Sequence, residues 1–196
     1  LYPQYSGATS ATVMDAVSRA LKAMRWQPAL RVLPPYYDDP LHIDALAASL
    51  RDGLAQLDFE PAAIVASFHS MPLRTLTLGD PFHCQCRKTA RLLSETAGRE
   101  LVVSFQSRLG RAKWLEPSTE DVLAALPAKG IDSVVVIAPG FSADNLETLE
   151  ELAIRGRETF LDAGGRRFAY LPCLNDSPPG IDMLRALLSR ELAGWI

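Results

Sequence analysis

The stretch Ala62-Ala63-Ile64-Val65-Ala66-Ser67-Phe68-His69-Ser70-Met71-Pro72 decides the fold. Its apolar run, Ala62 to Phe68, reads as a buried strand, and Pro72 closes it just after a lone histidine. In an open α/β sheet, ligand chemistry gathers at the carboxyl ends of the strands. A titratable imidazole delivered there is placed for work. A second strand, Ser133 to Ile137, runs into Pro139-Gly140-Phe141 and then Ser142-Ala143-Asp144-Asn145-Leu146-Glu147-Thr148. That spacing puts a carboxylate in the first turn of the next helix. His69 and Glu147, each just past a strand end, are the pair around which function is expected.

Outward from these strands, helices and strands alternate. The sequence predicts helices over Thr9–Arg25, His42–Leu57, Cys84–Ala97, Asp144–Ala163 and Pro179–Trp195, with a further helix capped by Ser118 or Thr119 and ended by Gly130. Between them lie strands at Leu30–Leu33, Leu101–Phe105 and Phe168–Leu171, while Met71–Phe82 reads as a loop with apolar Met71, Leu73, Leu76 and Leu78. In the first helix Val13, Val17, Ala20, Leu21 and Met24 recur at helical spacing; in the second, Ile43, Leu46, Leu50, Leu54 and Leu57 form one stripe. The alternation predicts an α/β fold with a Rossmann-like parallel sheet covered by helices on both faces.

The bulk numbers exclude several classes. The 196 residues suffice for one domain with a proper core; 48% are apolar, 22% charged, and the net charge is −3. Nothing there favours nucleic acid, whose binders carry basic stripes. No run reaches the length of a membrane span, and no secretory signal is recognisable. The chain opens on Leu1 in mid-motif and is expected to be a fragment. Its three cysteines, two of them one residue apart, argue against a disulfide framework and for a reducing, cytoplasmic setting.

Each candidate has an ordinary reading beside the functional one. A histidine beside an apolar strand is commonly a core or surface residue; the strand-end position and the following Pro72 favour a site. Asp144 could be an N-cap with Glu147 at the third helical position. Asp144, Glu147 and Glu151 would share one helix face, either a solvated acidic face or a path for a cation. Imidazole with carboxylate suits Fe(II), Mn(II) or Zn(II) more than Cu(I). His83, Cys84 and Cys86, with distant Cys173, lack zinc-finger spacing, and three thiols fall short of an all-cysteine iron–sulfur cluster, so no cluster is expected. Trp114, Phe141 and the Met71 loop are candidate apolar walls, with core packing as the alternative. Arg108 and Arg111 could pair with helix-end carboxylates or meet an anion. The absence of a glycine-rich phosphate fingerprint leaves nucleotide binding unsupported.

The blocks LYPQYS, SFHSMP, GDPFHCQC, FQSRLGRAKWLEPST, PGFSADNLETLEEL and PCLND, spread over nearly the whole chain, resemble the ferrochelatase family. The resemblance implies a chelatase-like fold and a lyase of haem and porphyrin biosynthesis that inserts Fe²⁺ into protoporphyrin IX to give protohaem. Fe²⁺ is then a substrate, and no cofactor is required. It implies that His69 and Glu147 are the catalytic and metal-contacting pair, with Ser70, Met71, Trp114, Phe141, Asp144 and Glu151 binding porphyrin or supporting the site. Whether His69 ligates iron or accepts a pyrrole proton stays open. Arg155 interrupts the acidic line.

Family members are longer. The resemblance implies that residues 1–196 are a C-terminal half-domain whose N-terminal half is missing. Residues 1–25 would be the inter-domain connection, and 179–196 a helix packing on that half. A peripheral membrane contact through the Met71–Leu78 lip is a further expectation. The alternatives are a chelatase acting on coproporphyrin or cobalt–sirohydrochlorin, and a fragment that binds porphyrin without metallating it.

Overall fold

The computed structural model describes residues 2–195; Leu1, the first residue of the LYPQYS block, and Ile196, the end of the expected final range, lie outside them. A π-wound turn, Gly7–Ala11, leads into α1 (Thr12–Ala23); α2 (Pro40–Ala55), β1 (Ala63–His69), α3 (Leu73–Thr77), α4 (Phe82–Ala97), β2 (Val102–Gln106) and α5 (Thr119–Ala125) follow. Then come β3 (Ser133–Ile137), a second π-wound segment (Glu147–Gly156), α6 (Arg157–Asp162), β4 (Arg167–Tyr170) and α7 (Pro178–Leu192). The sheet has four strands in the order β2-β1-β3-β4, and every pairing is parallel.

The strand alternation sorts the core into two layers. Ile64, Ala66, Phe68, Val135 and Ile137 point to one face, where Ala47 and Leu50 of α2 and Cys86, Ala90 and Leu93 of α4 cover them. Val65, Val134 and Val136 point to the other, against Leu123 of α5, Leu152 and Phe160. A sheet buried on both faces explains why its central strands read as unbroken apolar runs. A third cluster, Tyr36, Ala45, Leu174, Met183 and Leu187, joins α2 to α7.

Several expectations are corrected. Leu30–Leu33 is not a strand: Leu30 is 51% and Val32 48% exposed. A short apolar run pairs only where a sheet edge lies beside it, and Val32 and Leu33 instead share a groove with Tyr2, Tyr5, Val13 and Met14. The helix expected over Thr9–Arg25 forms, but none of its residues is buried. The expected loop Met71–Phe82 contains α3, and the helix expected from Asp144 begins at Glu147. The last helix stops at Leu192, short of Trp195.

The strand order places the site. The chain leaves β1 toward β2 on one side and returns to place β3 on the other, so the β1–β3 boundary is a topological switch point. The crevice above the carboxyl ends of those two strands is where such sheets bind ligands.

Candidate active site

His69 is the last residue of β1, in register with Gln106 of β2. The chain beyond it is pinned: Ser70 N–H donates to Gln106 O at 2.7 Å, Leu115 N–H to Met71 O at 2.9 Å and Leu73 N–H to Lys113 O at 2.7 Å. Residues 65, 67 and 69 point to the α5 side of the sheet, and so toward the segment after β3. Below His69 the Ser67 hydroxyl donates to Gln106 Oε1 at 2.8 Å and lies 2.7 Å from the Thr119 hydroxyl.

Glu147 opens the π-wound segment. Its carboxylate Oε2 lies 2.8 Å from His69 Nδ1, with both side chains a third or more exposed. Its backbone is held at both ends, since Glu147 N–H donates to Asn145 Oδ1 at 2.8 Å and Glu147 O accepts from Gln106 Nε2 at 2.9 Å. The side chain that meets the Glu147 N–H is therefore Asn145 and not Asp144, and Asn145 N–H donates in turn to Thr148 Oγ1 at 3.0 Å. Buried Gln106 thus ties the end of β2 to Glu147.

These residues open into a pocket of roughly 300 Å³. Met71, Phe82 and Phe141 form its apolar wall; Tyr2, Gln4, Ser6, Thr9 and Asn145 form the remainder with His69, Glu147 and Gly140. Space is tight at Gly140, where a Cβ would lie 3.1 Å from the Phe68 ring and 3.4 Å from Gln4 Oε1. Gln4 is itself buried, with Nε2 donating to Thr89 Oγ1 at 3.1 Å.

Of the expected site residues, His69, Glu147, Met71 and Phe141 are brought together here. Ser70 is buried, its hydroxyl donating to Leu115 O at 3.4 Å, and Trp114 pairs through its backbone with Pro72; neither lines the pocket. Glu151 does not continue a line from Glu147. Its carboxylate is instead spent on Ser107, accepting from the N–H at 2.7 Å and from Oγ at 2.5 Å. Asp144 stands outside that segment, on the far side of the loop.

There Asp144 Oδ1 accepts from Tyr170 Oη at 2.7 Å, Thr148 Oγ1 at 2.9 Å and Cys173 N–H at 3.4 Å, and Oδ2 from Asn175 Nδ2 at 2.7 Å. Burial pushes its carboxyl up, but the hydrogen bonds from Asn175, Tyr170, Thr148 and Cys173 outweigh that and hold it below the usual range. Burial, with the neighbouring Asp144, pushes the Cys173 thiol up to about 12.

His83, Cys84, Cys86 and Cys173 do not form one site. His83 stacks on Phe105 at 5.5 Å and accepts from Arg87 Nε, while Cys84 is exposed and Cys86 buried. At the lip, Leu76 packs onto the core and Leu78 is 72% exposed. Arg108 pairs with Asp121 at 3.2 Å. No helix among the described residues is long and apolar enough to cross a membrane. Sequence reasoning assigned no role to Gln4, Ser6, Gln106, Tyr170 or Asn175. Gln4 and Ser6 stand within LYPQYS, whose aromatic and Pro residues read only as a loop, and Gln106 ends a strand in register with His69.

The ferrochelatase family model matches residues 1–192, across this pocket and both strand ends. The chain belongs to the ferrochelatase family. It is 52% identical to a ferrochelatase of Rhizobium meliloti, 51% to one of Allorhizobium ampelinum and 49% to one of Methylocella silvestris. Each alignment covers 100% of this chain and 59%, 58% and 57% of the respective relative. The chain therefore spans less than two thirds of these ferrochelatases. These shares give how much of the relatives the chain spans, and the C-terminal placement expected from the resemblance is not borne out.

Proposed function

We propose that this chain carries the metallation site of a ferrochelatase, which inserts Fe²⁺ into protoporphyrin IX and releases two pyrrole protons to give protohaem. The observation that carries the reading is the His69 Nδ1–Glu147 Oε2 contact of 2.8 Å, at the mouth of a pocket walled by Met71, Phe82 and Phe141. With Glu147 ionised, Nδ1 keeps its proton toward the carboxylate, and the imidazole lone pair lies on Nε2. Nε2 is then the atom to take a pyrrole proton, and Glu147 stabilises the imidazolium that forms. Glu147 Oε1 is left to meet the incoming Fe²⁺. The apolar wall grips the macrocycle so that binding favours a ring with its nitrogen lone pairs turned to the metal. The unpaired cysteines suit a reducing cytoplasm.

The test is anaerobic insertion of Fe²⁺ or Zn²⁺ into protoporphyrin IX, followed by absorbance and emission. His69→Ala should lower kcat by about 10²–10⁴-fold, the range of a positioned acid–base group, and Glu147→Gln should lower it in the same direction. A wild-type chain that neither binds nor metallates porphyrin, or a His69→Ala variant with unchanged turnover, would overturn the proposal.

A further inference from the structure

Two loops meet behind the pocket. One, Pro139–Leu146, carries the approach to Glu147; the other follows β4 and carries Cys173, Leu174 and Asn175. Asn175 turns its N–H and both side-chain amide atoms to the first loop. Its N–H donates to Ser142 O at 3.0 Å, its Oδ1 accepts from Asp144 N–H at 2.8 Å, and its Nδ2 donates to Asp144 Oδ2 at 2.7 Å. It does so with a positive φ of 49°, a conformation that asparagine tolerates better than most residues. Tyr170, the last residue of β4, adds its hydroxyl to Asp144 Oδ1 at 2.7 Å.

The contacts continue to the candidate pair. Thr148 Oγ1 donates to Asp144 Oδ1 at 2.9 Å and accepts Asn145 N–H at 3.0 Å, and Asn145 Oδ1 accepts Glu147 N–H at 2.8 Å. The route is Tyr170, Asp144, Thr148, Asn145, Glu147, with a hydrogen bond or a peptide linkage at every step. Thr148 is fully buried, so its hydroxyl cannot replace a lost partner with bulk water. Neither Tyr170 nor Asn175 lines the pocket.

We infer that Tyr170 and Asn175 are positioning residues that act through the Asp144 carboxylate and the Thr148 hydroxyl to hold Glu147 against His69. The inference rests on the reading of His69 and Glu147 as the reacting pair. The end of β4 thereby sets the site's geometry from the side opposite to Gln106. Rate depends on sub-ångström placement of such groups, so the loss of one hydroxyl at the far end has a catalytic consequence.

The experiment uses the 196-residue chain and reads the His69 ring ¹⁵N resonances through their pH titration, identified by their absence in His69→Ala. Tyr170→Phe removes only the hydroxyl. Thr148→Val is near-isosteric and removes the next one, while Thr148→Ser keeps it and is the rescue control. Tyr170→Phe and Thr148→Val should move the His69 resonances toward those of Glu147→Gln and lower kcat several-fold with KM for porphyrin unchanged. Thr148→Ser should match the wild type. A role in stability alone would lower Tm and leave the His69 titration where it was, and that result overturns the inference. Should one variant fail to fold, the other still gives the resonance readout. A wild-type chain without turnover counts against the proposed activity instead, while the resonances still decide whether Tyr170 holds the pair.

Discussion

At the scale of single residues, His42 is a buried titratable group that the site does not use. It is 2% exposed, and neither ring nitrogen has a hydrogen-bond partner among the described residues; its ring meets Tyr36 edge-on at 5.3 Å. Burial lowers its pKa to about 4, with nearby Asp39 opposing the shift. The folded chain therefore holds His42 neutral where the unfolded chain, with an ordinary value of 6.5, binds a proton. Between about pH 6.5 and about pH 4 the unfolded state carries more protons, so stability falls as pH drops through that window, by on the order of 3 kcal/mol at full effect. The depressed carboxyl of Asp144 acts lower: its contribution is complete above its ordinary value of 3.8 and is lost as pH falls through its folded value. His42→Leu should flatten the upper window and leave the lower one. Urea unfolding of both proteins at about pH 7 and about pH 5 checks this, and an unchanged difference between the two pH values refutes it.

At the scale of elements, the central strands were legible because burial on both faces writes an unbroken apolar run. Ser133–Ile137 matches residue for residue, and Ala62–Phe68 lies within one residue of Ala63–His69. Leu30–Leu33 misled because it has the same composition over a length that needs a neighbour, and no sheet edge reaches it. The winding of Glu147–Gly156 left no periodic trace strong enough to separate π from α. Asp144 thus reads as part of a helix face, and its contacts with Tyr170 at the end of β4 and Asn175 in the loop beyond, far along the chain, leave no local trace. Local caps were readable, and α5 illustrates one: Ser118 Oγ accepts from Asp121 N–H at 3.0 Å and itself donates to the Asp121 carboxylate. Ser118→Ala should lower stability by about 1 kcal/mol through the lost cap, measured by denaturant midpoint at constant slope. A change below a few tenths of a kcal/mol would mean that another group caps α5.

At the scale of the whole molecule, the apolar surface is uneven. The α/β body closes around its sheet, whereas Val13, Met24, Trp26, Leu30 and Val32 on the N-terminal arm and Ile181, Leu188 and Leu192 on α7 are each more than a third exposed. The two regions join, since Arg31 donates to Glu191 O and to Ala193 O at 3.3 Å and lies over the Trp195 ring at 4.9 Å. Arg31 thus fastens the arm to the end of α7, while other apolar side chains, Leu78, Leu109 and Leu146 among them, stand exposed on the α/β body. The stripe read from the first helix is real as a pattern and does not belong to the core of this chain. Stability should divide accordingly. Val13→Asp, at a position 54% exposed, should change the unfolding free energy of the 196-residue chain by no more than about 0.5 kcal/mol. Leu187→Ala, at a fully buried position between α2 and α7, should cost about 2–5 kcal/mol. Chemical denaturation of the two variants decides it. A Val13→Asp loss as large as that of Leu187→Ala would show that α1 packs against the body in solution, whereas a neutral result would show that its apolar face adds nothing to the fold of this chain.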